Sequence, residues 1–373
     1  PQVGHEPSSR QCREAVAVMQ SAIILTNGML ETPFAKTTHG LVRGPSRFDI
    51  VGVVDPPCAG RDAGSLLDGQ VRNIPIFASV AACLEALDRR PDYCIVGVAT
   101  VGGVLPDAIR DGLLEAARSG LSLVNGLHRL LADDEELAEL TRRNGAQIID
   151  LRRSKPIDEL RFWSGEVLRL PSQHIAVLGT DCALGKRTTG ELLRQACQEE
   201  GIAAEMIYTG QTGWLQGTPY GFIFDATPND FVCGELERAM LACHEDLAPD
   251  VMLLEGQSGL RNPAGPCGAE LILGGAAETV ILQHAPGREY YEDLDELGCR
   301  IPPLPEEVEM IRLMGAEVIA VTLNHEGLDR EHLRREQQKL QDELGLPVLH
   351  PLWDGVSQLV ELIRQRLEER SEP

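Results

Sequence analysis

The chain has 373 residues, 43% of them apolar, and a formal net charge of −23. That length suits two domains better than one core. The acidity excludes a nucleic-acid backbone or an anionic membrane surface as partner, because both need a basic face.

No stretch approaches the ~18–20 continuous apolar residues of a membrane span. Residues 1–20 read as a polar tail without a secretory pattern. Ten cysteines, none in a Cys-x-x-Cys pair, read as free thiols in a reducing compartment. A cytoplasmic location is therefore expected. A symmetric homo-oligomer is expected of an α/β chain of this size.

A first domain is expected over residues 21–170. Strand patterns cover Ala22–Leu25, Ile50–Val54, Tyr93–Ala99, Leu121–Val124 and Gln147–Asp150. Helical spacing covers Ser79–Leu87 and Pro106–Ser119. This alternation predicts a Rossmann-like parallel sheet with right-handed crossovers. The first strand ends in Thr26-Asn-Gly28, and a Gly/Thr-rich stretch, Lys36-Thr-Thr-His-Gly40, follows and reads as a loop. Lysine stands only at positions 36, 155, 186 and 339. A lysine retained in such a stretch suits a compact charge aimed at an anion, so Lys36 is a candidate substrate contact. Asp55 ends the second strand, where a Rossmann acid meets a ribose, but the Gly-x-Gly-x-x-Gly fingerprint is missing. Residues 152–171, rich in Arg and Pro, break the rhythm and mark the domain join.

The second domain is expected over residues 171–373, as a P-loop NTPase-like parallel sheet. Its strand patterns are His174–Leu178, Ala204–Tyr208, Val251–Leu254, Thr279–Gln283, Val318–Leu323 and Leu346–His350. Helical patterns cover Arg187–Glu200, Gly234–Cys243, Glu306–Met314, Arg330–Leu344 and Gly355–Glu369. The first strand runs into Gly179-Thr-Asp-Cys-Ala-Leu-Gly-Lys-Arg-Thr-Thr189. A strand, a glycine turn and a helix N-terminus make a phosphate cradle. The phosphate contacts would come from Gly179, Thr180, Asp181, Cys182, Gly185, Lys186, Arg187, Thr188 and Thr189. The match to G-x-x-x-x-G-K-[ST] is imperfect. Five residues separate the two glycines, and Arg187 stands where the magnesium-binding hydroxyl is usual. Thr188 is the displaced candidate ligand.

Three later segments fall at strand ends, where such domains place their sites. Thr209-Gly-Gln-Thr-Gly213 supplies Thr209, Gln211 and Thr212 as substrate contacts. Glu255-Gly-Gln-Ser-Gly-Leu-Arg-Asn-Pro263 places Glu255 at the Walker-B position, as base or magnesium ligand, with Arg261 and Asn262 beyond it. Gln283-His-Ala-Pro-Gly-Arg288 offers His284 as a proton acceptor and Arg288 for a substrate carboxylate.

Four motifs in this order, at 36–40, 179–186, 209–213 and 255–263, resemble a bacterial and archaeal family labelled as a domain of unknown function. The resemblance covers the chain from about Ser21. It implies a Rossmann-like domain followed by a P-loop domain, and one branch is D-glutamate N-acetyltransferase, which uses acetyl-CoA. On that implication Lys186 and loop amides hold cofactor phosphates, and Arg288 or Arg261 holds the carboxylates of an acidic amino acid. Asp181, Glu255 or His284 then deprotonates its ammonium. The P-loop also resembles that of dethiobiotin synthetase, departing from it at Arg187 and at Gln257-Ser258. An ATP- and magnesium-dependent kinase or ligase is the alternative, and a non-catalytic nucleotide sensor the third reading.

Overall fold

The computed structural model describes residues 19–371, so the expected tail lies outside the described residues up to position 18. The chain divides into two compact units. One holds residues up to Asn125 together with Leu131–Ile149; the other holds Gly126–Leu130 and everything from Asp150. Among the described residues no helix is long and apolar enough to cross a membrane.

The first unit is built on strands β1 (Ser21–Leu25), β2 (Asp49–Val54), β3 (Ile76–Phe77), β4 (Tyr93–Val96), β5 (Ser122–Asn125) and β6 (Ile148–Asp150). Their spatial order is β3-β2-β1-β4-β5-β6, the Rossmann order. β1 pairs in parallel with both β2 and β4. Ile23, Ile24 and Leu25 are fully buried, as expected of a central strand covered on both faces. β3 has two residues, too few to register as periodicity. The stretch read as a loop at Lys36 is instead the first turn of a helix, Lys36–Arg43, which buries Thr37, Thr38, Leu41 and Val42. Its threonines and glycine lower helix propensity, and burial overrides them.

Asp55, at the position of a Rossmann ribose-binding acid, is fully buried. Its Oδ2 accepts from Thr26 Oγ1 at 2.7 Å and from the amides of Gly28 at 2.7 Å and Leu30 at 3.1 Å. Those amides belong to the β1 turn, which in dinucleotide-binding relatives of this fold cradles a pyrophosphate. Here a carboxylate of the chain itself takes the place of that anion.

The second unit is a seven-stranded sheet of β7 (Gln173–Gly179), β8 (Ala204–Tyr208), β9 (Tyr220–Gly221), β10 (Val251–Glu255), β11 (Thr279–His284), β12 (Glu317–Leu323) and β13 (Val348–Leu349). The order is β13-β12-β11-β7-β10-β8-β9, with parallel pairing throughout. β7 and β10 are buried along their whole length. Two apolar clusters cover the sheet, one around Leu236, Leu254 and Leu282, the other around Ile175, Leu253 and Ile281.

Residues 150–170, expected with the first domain, pack on the second. Glu235 and Glu237, buried on the helix Val232–Leu247, reach out to this segment. Lys155 Nζ donates to Glu235 at 2.6 Å, and Ser164 N and Val167 N donate to Glu237 at 2.6 and 3.2 Å. A Cβ at Gly234 would lie 2.0 Å from Arg161 O, so the segment runs directly over that glycine.

Replacing Asp55 by Ala strands the amides of Gly28 and Leu30; the first domain is expected to lose on the order of 3 kcal/mol, read from its urea unfolding midpoint.

Candidate functional site

The site forms at the carboxyl ends of β7, β10 and β11. The first intrahelical bond of Lys186–Glu199 runs from Thr189 N to Gly185 O at 2.9 Å. The amides of Lys186, Arg187 and Thr188 therefore have no intrahelical partner, and the helix dipole places positive potential there. The turn needs left-handed backbone at Ala183 and Gly185, with φ of 53° and 96°. Lys186 is buried and spans the loop, donating to Asp181 O at 2.6 Å and Ser258 O at 2.9 Å. Burial lowers its pKa. The opposite wall is Gly256 and Gly259, where a Cβ would meet Val177 O at 2.4 Å and Thr180 O at 2.6 Å.

Asp181, one of the three candidate bases, is fully buried. Its Oδ1 accepts from Asn262 Nδ2 at 2.9 Å, and its Oδ2 accepts from Arg288 Nη1 at 2.9 Å and Glu292 N at 2.7 Å. Arg288 also donates to Cys182 O at 2.8 Å and pairs with Glu326. Asp181, Asn262 and Arg288 thus meet in one cluster that fixes the loop. Arg261 lies apart from it, held by Glu306 at 2.8 Å and Glu307 at 2.6 Å.

Glu255 sits beside the first turn of the P-loop helix. Arg187 Nη1 lies 3.1 Å from its Oε2, which also accepts from Thr209 N at 3.1 Å. Arg187 further donates to Gln216 and, at 2.8 Å, to Thr218 Oγ1. The two charged side chains are 13% and 7% exposed. Thr188 lies about 100° further round the helix and is exposed, whereas Thr189 is buried and donates to Gln283 Oε1 at 2.7 Å. A P-loop magnesium needs a hydroxyl just after the lysine and an available Walker-B carboxylate. Here a guanidinium stands in the first place and binds the second, so these residues do not fit the ion.

Thr209 Oγ1 donates to Glu255 O at 2.7 Å and accepts from Gln257 Nε2 at 2.8 Å. Gln211 and Thr212 open a short helix, Gln211–Leu215, and Gln211 accepts from Arg152 at 3.0 Å. Lys36 is exposed in the first unit.

His284 lies at the end of β11 with Nδ1 3.0 Å from Thr180 Oγ1. Burial pushes its pKa down to about 4, so it is neutral at pH 7. It lines a cavity of about 280 Å³ together with Arg288, Arg300, Leu304, Glu336 and Lys339. Among these only His284 and Arg288 carried a motif signal; Arg300 and Lys339 are brought there by the loop after β11 and the helix Arg330–Leu344.

Two measurements follow from this geometry. Asp181→Ala leaves Arg288 without its buried partner, and a loss of about 3–5 kcal/mol is expected in chemical denaturation; a carboxylate acting purely as a base would leave the midpoint unmoved. Burial also holds His174 and His350 down to about 4. Their folded pKa values, like that of His284, lie below the unfolded value of 6.5. The unfolded chain therefore binds more protons in that window, and stability is expected to be full above pH 6.5 and to fall as the pH drops toward 4. His284→Gln should flatten this slope in urea titrations run across the window.

Comparison with known proteins agrees with this architecture. Residues 161–360 match the P-loop domain of DUF1611, a domain of unknown function, and residues 56–154 match its Rossmann-like N-terminal domain. A D-glutamate N-acetyltransferase of a Pseudoalteromonas species is 26% identical over 278 residues, covering 71% of this chain and 79% of that protein. The D-glutamate N-acetyltransferase of Tritonibacter scottomollicae is 27% identical over 277 residues, covering 72% and 80%. The crystal structure of a DUF1611 family protein from Anabaena variabilis superposes with a TM-score of 0.83 at 30% identity, covering 93% of this chain and 99% of that one.

Proposed function

We propose, starting from the fact that this chain belongs to the DUF1611 family, that it is an N-acetyltransferase carrying acetyl from acetyl-CoA to the amine of an acidic amino acid, D-glutamate foremost. The observation that carries this reading is the similarity, over more than two thirds of the chain, to two proteins named for that activity. The P-loop supports it, because CoA brings phosphates that such a cradle can hold without any phosphoryl transfer.

When bound, acetyl-CoA would supply a thioester whose thiolate is a competent leaving group. The chain's own part is to bind, orient and manage one proton. Lys186 and the amides of 186–188 would hold the phosphates. Arg300 and Lys339, which line the cavity beside His284 and pair with Glu289 and Glu336, would hold the carboxylates of the amino acid by exchanging those partners for it. His284 is the best placed of the three candidate bases, since Asp181 and Glu255 are both held in ion pairs. Its low pKa makes it a weak base, and a carboxylate bound in the cavity would raise it toward neutrality. It would take the proton that the ammonium loses before the amine attacks the acetyl carbon. The new C–N bond then replaces the C–S bond, and the proton the attacking amine sheds leaves with the thiolate as CoA thiol. The Arg187–Glu255 pair weighs against the magnesium-dependent kinase or ligase.

Thermal shift and thiol release test this. Acetyl-CoA at about 100 times its dissociation constant should add roughly 2.7 kcal/mol of stability, and Lys186→Ala should lose that gain. D-glutamate should release CoA thiol, detected with a disulfide reagent. ADP formation from ATP and magnesium, with no thiol release for any amino acid, would overturn the reading.

A further inference from the structure

We infer that this P-loop binds a diphosphate-bearing ligand without a divalent cation, and that Arg187 is the positioning residue that makes this possible. The inference rests on the loop geometry and not on acetyl transfer.

A P-loop ordinarily meets its diphosphate with three kinds of positive charge: the lysine, the helix amides and a magnesium ion. The ion is held by the hydroxyl that follows the lysine and, through water, by the Walker-B acid. In this chain the lysine and the amides are in place, and the residue after the lysine is an arginine. Its guanidinium is built into the site and does not hang from its edge. Nη1 takes Glu255 at 3.1 Å, Nη2 takes Thr218 at 2.8 Å, and Nε takes Gln216. Room for it depends on Gly213, where a Cβ would come within 2.9 Å of Nη1 and 2.2 Å of Tyr208 Cβ. Glu255 is fixed from a second side by Thr209 N at 3.1 Å.

Two consequences follow. First, the Walker-B carboxylate is already neutralised by a charge of the chain, so a divalent ion gains little there and would have to displace a half-buried, multiply bonded guanidinium. Second, Glu255 no longer presents an uncompensated negative charge to an incoming diphosphate. The ion would otherwise have to screen that charge. Arg187 has its donors engaged on protein acceptors, so it acts through Glu255, while the phosphates fall to Lys186 and the amides of 186–188.

ADP and CoA share the 5′-diphosphate and serve as probes by isothermal titration on the full chain. The native protein is expected to bind at least one of them with the same dissociation constant in EDTA and in excess magnesium chloride. Arg187→Thr restores a hydroxyl after the lysine and releases Glu255. It is expected to bind at least about tenfold more weakly in EDTA and to recover when magnesium is added. Arg187→Lys keeps the charge and should stay magnesium-insensitive. That split separates a role in charge compensation from simple support of the fold. Failure of the native protein to bind either probe in EDTA would overturn the inference, whether or not the variants fold. ADP binding in EDTA without acetyl-CoA binding would leave this inference standing and remove the acetyltransferase reading. Acetyl-CoA binding that requires magnesium, with neither probe bound in EDTA, would do the reverse.

Discussion

One buried carboxylate holds the site together. Asp181 joins the P-loop that follows β7, the loop after β10 through Asn262, and the loop after β11 through Arg288 and the amide of Glu292. A carboxylate removed from water is tolerable only when charge and hydrogen bonds replace its hydration, and all three loops contribute to that replacement. The loops are long and carry several glycines, so their backbone freedom is costly to remove. A single anchor restrains all three segments at one point. Its backbone carbonyl also accepts from Lys186 Nζ at 2.6 Å, so the same residue fixes where the lysine crosses the loop.

The first domain uses the same device in reverse. Asp55 puts a carboxylate where a ligand's phosphate would sit in related sheets, and the turn amides close on it. The two domains share parallel sheets and strand-end loops, but their anion sites differ in state. In the first, the anion belongs to the chain. In the second, the amides of Lys186, Arg187 and Thr188 have no intrahelical partner. Fold alone would have suggested two nucleotide sites; the placement of acidic residues separates them.

The pairing of Arg187 with Glu255 adds a layer to this logic. A magnesium site and a guanidinium cannot occupy the same few ångströms, so one substitution after the lysine changes which cation serves the Walker-B acid. The chain bears a large negative charge overall, yet around the P-loop the acidic groups are matched one by one by Arg187, Arg288 and backbone donors. Local pairing, not net charge, decides whether a phosphate can approach.

The sequence by itself determined the two parallel sheets and the position of the P-loop. Apolar runs at β1, β7, β8, β10 and β12 are buried on both faces, so each reads as a strand without any knowledge of its neighbours. The glycine turn between β7 and its helix is equally local: its chemistry lies within eleven consecutive residues. The two-residue edge strands β3 and β9 left no trace, whereas β13, equally short, is legible because it lies in the largely apolar run Leu346–His350. The helix at Lys36 was hidden by residues of low helix propensity that burial compensates. The allegiance of residues 150–170 was also out of reach, since it depends on Glu235 and Glu237 some seventy or more positions later in the chain. Only the tertiary structure decided what the charged side chains do. Asp181 and Arg288 are 107 positions apart, and Arg187 and Glu255 are 68 apart. Whether a carboxylate is a base, a metal ligand or an anchor depends on which cation the folded sheet brings within about 3 Å of it, and spacing along the chain does not encode that distance.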